Sequence, residues 1–208
     1  MFEKAQRKVA ECTFFLRQLR ETQDPDATEF FFNALLNAGK NVVNALRAQV
    51  HSCERTRLPS DQATVKTEQS YDHHFKAWKR TITGSRATLF DVLQALRDIE
   101  MHADSSGVRH LPKTEERRQP RSVPSDSHYA AIFASYIAMG VLSADVTVPT
   151  TSYDLRVDAA APSKRRVQAL FKQFAKGKQK PSVEVATTYT GLLDSLVAYF
   201  IAHYAGTC

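Results

Sequence analysis

The chain has 208 residues, 43% of them hydrophobic and 24% charged. That is a globular composition with enough length for one sizeable core, and it excludes a disordered or fibrous chain. Lys and Arg number 28 against 22 Asp and Glu, a formal net charge of +6, so an anionic partner is admitted but not demanded.

The N-terminal stretch "MFEKAQRKVAEC" is charged throughout and lacks the apolar centre of a signal peptide. Phe2, Ala5, Val9, Cys12, Leu16 and Leu19 follow a 3-4-3-4-3 spacing, a one-sided helical stripe. "TQDPDATE" breaks it, with Asp26 or Thr28 as N-cap candidates for a second helix over about 28–53. That helix places Phe32, Leu35, Leu36, Gly39, Val42, Val43, Leu46 and Val50 on one face. Gly39 costs roughly 1 kcal/mol against Ala in a helix interior, which makes sense if another helix crosses closely there. Phe30 and Phe31, beside core Phe32, read as surface for an interface.

"CERTRLPSDQATVKTEQS" is polar and reads as a loop. Tyr71, Phe75, Trp78 and Ile82 restart the helical spacing, and Gly84-Ser85 provides a stop and a new N-cap. Leu89, Val92, Leu93, Leu96 and Ile99 stripe a fourth helix. Residues 103–127 read as a polar loop with three prolines. Residues 128–160 are ambiguous: "HYAAIFASYIAMG" is compatible with a helix, but "DVTVPTTSYDLRVDA" alternates and turns like a short hairpin. "KRRVQALFKQFAKG" suits a short basic helix or a strand ending at Gly177, and about 182–204 returns to strong helical spacing. The apolar runs "YAAIFASYIAMGVL" and "SLVAYFIAHYA" are both below the ~18 residues of a membrane span, so no membrane partner is expected.

The expected fold is therefore all-α, an antiparallel bundle of amphipathic helices with a long loop and a small irregular or hairpin insertion before the last helix. One domain is expected over 1–208, with core helices at about 1–104 and 182–204 and the insertion at 105–181.

Seven glycines are scattered and build no phosphate cradle. There is no H-E-x-x-H or G-x-S-x-G string and no paired carboxylate box. Cys12, Cys53 and Cys208 are odd in number, unpatterned and far apart. They suggest neither a disulfide framework nor a zinc site, and fit a reducing, cytoplasmic setting. His73-His74 point roughly 100° apart on a helix, one at the surface and one half-buried. No metal and no cofactor is expected.

What remains is "RDIEMH", Arg97 to His102, with Asp98 next to the arginine. Cutting RNA without a metal needs a base near neutrality and a fixed cation for the phosphorane charge. Imidazole and guanidinium supply those two properties. The bland alternative is a last-turn pair favoured by the helix dipole.

An opening amphipathic helix pair followed by R-D-x3-H near the end of a later bundle helix resembles the HEPN superfamily. Its members carry Arg, a polar residue and then His in that order, and "EFFFNALLNAGKNVVNALRAQ" is similar to the second helix of the opening pair. The resemblance covers about 1–104 well and the terminal helix loosely. It implies a metal-independent endoribonuclease of toxin–antitoxin or phage-defence type, usually a homodimer whose two motifs line one cleft. The roles it implies are His102 as general base or acid, Arg97 on phosphate and Asp98 orienting one of them. Five helical residues separate Arg97 and His102 by about 140° and 7.5 Å, and a two-fold interface would bring Arg97 of one subunit beside His102 of the other. The alternative is a noncatalytic HEPN-like module that binds RNA, a nucleotide or a protein partner. A cognate antitoxin or a nucleotidyltransferase is the further partner implied.

Ser163–Lys180 holds seven Lys and Arg and no acid, so the rest of the chain is nearly neutral. Lys164, Arg165, Arg166, Lys172, Lys176 and Lys178 would track an RNA backbone, with Phe171 and Phe174 available to stack a base. A solvated basic face is the competing reading.

Overall fold

The computed structural model describes residues 2–57, 63–82, 84–100, 108–120, 127–140, 143–157, 162–176 and 180–206. Among them run α1 (Glu3–Glu21), α2 (Pro25–Arg57), α3 (Ala63–Thr81), α4 (Gly84–Glu100), β1 (Val108–Pro120), α5 (Ser127–Ala138), β2 (Asp145–Val157), α6 (Pro162–Ala175), β3 (Lys180–Pro181) and α7 (Ser182–Tyr204). The chain divides into two compact units, one of residues 1–111 and 153–208 and one of 112–152.

In the larger unit the six residues of the first stripe are all buried. They face α2 in antiparallel sense, since Ala5 N donates to Gln49 Oε1 at 3.2 Å and the Cys12 thiol lies 3.9 Å from Leu35 O. The entry to α2 is built differently from the expectation. Asp24 caps it, accepting from Asp26 N at 3.2 Å, and Pro25 takes the first helical position, where a missing N–H is harmless. Thr28 is buried one turn in, its hydroxyl on Asp24 O at 2.8 Å.

Gly39 does mark a close crossing. A Cβ there would lie 2.5 Å from Tyr189 of α7. The Tyr189 hydroxyl accepts from Gln94 Nε2 of α4 at 2.6 Å, so α2, α4 and α7 meet at one aromatic ring. Helix α7 returns to the bundle as expected, burying Val185, Tyr189, Leu192, Leu193, Leu196 and Phe200. Each such side chain contributes about 1.5–3 kcal/mol. By length and composition α7 is also apolar enough to cross a membrane, a property its core position accounts for. Against α3, Trp78 Nε1 donates to Ser195 Oγ at 3.2 Å and Ser70 Oγ meets the Tyr204 hydroxyl at 2.8 Å.

Four expectations need correction. The polar run 53–70 is largely helical, because α2 continues to Arg57 and α3 starts at Ala63. Its polarity belongs to solvated helix ends and to contacts such as Ser70 Oγ on Glu54 Oε1 at 3.2 Å. The polar stretch after residue 107 is not simply loop. It forms β1, whose Pro112 and Pro120 are tolerated because the strand order β1-β2-β3 leaves β1 at an edge. The expected hairpin is one strand, β2, which pairs antiparallel with β3 through Asp154↔Pro181 and Leu155↔Lys180. Lastly, Cys53 is disulfide-bonded while Cys12 is a buried free thiol, a pairing that spacing did not announce.

The smaller unit holds α5 and the outer parts of β1 and β2, joined where Ser152 Oγ donates to Lys113 O at 3.4 Å. The compact insertion is thus 112–152, narrower than 105–181, and α6 belongs with the larger unit.

Candidate functional site

Arg97 sits in the last turn of α4, where the helix dipole favours a cation. The apolar stripe of α4 (Leu89, Val92, Leu93 and Leu96) is buried on one side, which turns the half-buried Arg97 toward α2. Its Nε donates to Asn37 Oδ1 at 3.0 Å, a contact across 60 residues of sequence. Asp98 follows in α4, with its side chain outside the described residues, and His102 lies outside them altogether. Arg97 is therefore the motif residue with a described contact, and Asn37 is a partner that sequence reasoning missed.

The basic segment becomes α6, packed on α4. Val167, Phe171 and Ala175 are buried, and Leu170 and Phe174 pack against the core. The two phenylalanines are therefore the adhesive face of an amphipathic helix rather than a base-stacking platform. Arg165, Lys172 and Lys176 are exposed on the other side. Lys164 and Arg166 stand in α6 with side chains outside the described residues, and Lys178 is outside them entirely. Lys176 closes the helix with φ of 50°, in the left-handed region.

Among the described residues, His110 and His74 sit in distinct environments beyond the motif. The His110 Nδ1 is 2.8 Å from Ser182 Oγ at the start of α7, and its ring meets Phe32 edge-on at 5.1 Å. Burial pushes its pKa down to about 4. Its Nε2 is enclosed without a hydrogen-bond partner among the described residues. Ser182 is fully buried, so this pair lacks the open face a hydrolytic serine needs. His74 of α3 lies 5.4 Å from His203 of α7, ring to ring, and 5.5 Å from His73. Burial first, then His203 and His73, lower its pKa, with Glu54 opposing them. Among the described residues no group of three or more His, Cys, Asp or Glu is placed to hold a metal ion.

The solvent face of α2 carries a recess of about 620 Å³ lined by Asn44, Arg47, His51, Ser52 and Arg55 among others. Arg47 lies over the Tyr71 ring at 5.1 Å from its centroid, and His51 Nε2 lies 3.9 Å from Glu68 Oε1. The spacing of these residues was visible in the sequence, but the helix was read there for its apolar face alone. In comparisons with known proteins, no family model, curated protein or solved structure matches the chain.

Proposed function

We propose that the chain is a HEPN-like, metal-independent endoribonuclease of toxin or defence type, which cuts RNA by attack of a 2′-OH on the neighbouring phosphorus. His102 takes the hydroxyl proton or returns one to the leaving 5′ oxygen. Arg97 neutralises the phosphorane, and Asp98 orients one of the two. The observation that carries the reading is the Arg97–Asn37 hydrogen bond at 3.0 Å. A guanidinium fixed through Nε at a helix end is a preorganised donor for a transition-state oxyanion, where such donors have their largest effect.

The test is RNA degradation in EDTA with purified protein, followed through the 2′,3′-cyclic phosphate that this chemistry leaves. Native protein is expected to cut, and His102→Ala to abolish cutting with an unchanged melting temperature. A requirement for a divalent ion rejects the mechanism. Binding without cutting, unchanged in His102→Ala, makes the protein a noncatalytic RNA-binding module instead.

A further inference from the structure

The residues of α2 that face away from the core form a second pattern. Asn37, Lys40, Asn44, Arg47, His51 and Arg55 recur at 3-4-3-4-4 spacing. At 100° per residue they fall within a stripe about 80° wide, running some 27 Å along the helix. Its centre lies about 130° from that of the core face of Phe32, Leu35, Leu36, Val42, Leu46 and Val50. Arg47 and His51 also touch α3, through Tyr71 and Glu68, while Asn37, Asn44, Arg47 and Arg55 are exposed. At one end Asn37 holds Arg97. Toward the other, Arg47 and Arg55 are exposed on either side of His51 in the recess.

The geometry points to a track for the sugar–phosphate backbone of single-stranded RNA along α2, from Arg55 past His51 and Arg47 to the Arg97–Asn37 pair. The exposed Arg47 and Arg55 lie about 12 Å apart along the axis, which is the scale of two phosphate steps on an extended strand. Two guanidiniums fork onto phosphate oxygens, and Asn44 one turn before Arg47 and Ser52 between the arginines add neutral hydrogen-bonding groups. Tyr71, buried beneath Arg47, holds that side chain over its ring. Glu68 is an acidic group beside the track, its Oε1 3.9 Å from His51 Nε2. The choice of RNA as the polymer rests on the ribonuclease reading. The track itself rests on the stripe and the recess.

The experiment uses the full chain in EDTA and a fluorescein-labelled, 2′-O-methylated oligouridylate of twelve residues, which cannot be cut by 2′-OH attack. Anisotropy is read over a salt series. Arg47→Gln with Arg55→Gln should weaken binding by about tenfold or more and reduce the slope of log affinity against log salt by about 1.4, the loss of two phosphate contacts on a single strand. Arg47→Lys with Arg55→Lys should keep most of the slope, which separates lost charge from a damaged fold. Lys4→Gln with Lys76→Gln, exposed cations on α1 and α3, removes the same charge elsewhere and should leave binding near native. If the glutamine pair at 47 and 55 does no more than that control, the track is wrong even where the protein still cuts RNA. If that pair abolishes binding by a chain that never cuts, the track stands and the nuclease reading falls. Binding of acidic phospholipid vesicles but not of the oligonucleotide overturns both.

Discussion

Enclosure of the His110 ring against Phe32, with Nδ1 on Ser182, lowers its pKa from 6.5 to about 4. The folded chain then releases this proton at a pH where the unfolded chain still binds it, so stability rises with pH across that window. The contribution is complete above about pH 6.5, is lost as pH falls toward 4, and amounts to about 3 kcal/mol over the interval. His110→Gln should narrow the gap in melting temperature between pH 7 and pH 4.5. An equal gap in both proteins would assign the acid sensitivity elsewhere. Gly39→Ala sets two terms against each other: roughly 1 kcal/mol of helix propensity gained, and a Cβ 2.5 Å from the Tyr189 ring and hydroxyl. Crowding of a packed core costs about 1–3 kcal/mol, and Tyr189 cannot swing away without losing Gln94. Denaturant titration should therefore find the variant less stable than native, and a gain would mean that Tyr189 has room to move. At Cys12 burial pushes the thiol up to about 12, so alkylation of the folded protein at that residue should be slow.

Helices α4 and α6 divide the proposed chemistry from the proposed electrostatics. Reversing Lys164, Arg165 and Arg166 to Glu should weaken RNA binding and flatten its salt dependence, with turnover at saturating RNA falling much less. Arg97→Ala should lower turnover strongly with a modest loss of affinity, since its phosphate contact matters most in the transition state. Identical kinetic profiles for the two variants would mean binding without cutting. Amphipathic spacing was a sound guide wherever one face is buried. Phe2 and the five stripe residues of α1 are core, and the observed Ser182–Tyr204 matches the expected last helix. It failed where local composition and tertiary role disagree. The prolines and charges of β1 read as loop until a sheet edge is there to accept them. Phe171 and Phe174 read as stacking rings until α4 is there to cover them. The site was readable only in part for a similar reason. The string at 97–102 announces itself, whereas Asn37 carries no local signal of pairing with a residue 60 positions away.

For the molecule as a whole, the composite cleft proposed for Arg97 and His102 requires a dimer. Phe30, 64% exposed on α2, is an unusual place for a phenylalanine unless a partner covers it. Light scattering at micromolar concentration should give the mass of a dimer, and Phe30→Ser should lower it. A native monomer would leave each motif with only its own imidazole. The bundle itself also has an order of assembly. Helix α7 meets α2 through Tyr204 and Glu54, 150 residues apart in sequence, and it brings α2 and α4 together through Tyr189. During synthesis the first four helices therefore emerge with the α7-facing side of their core uncovered, and loop closure over that span is slow compared with pairing of α1 and α2. A nascent chain can form the α1–α2 hairpin early, but the crossing of α2, α4 and α7 closes only after Tyr189 has left the ribosome. Under the proposed ribonuclease reading, the bundle that carries Arg97 is complete only once α7 has been made.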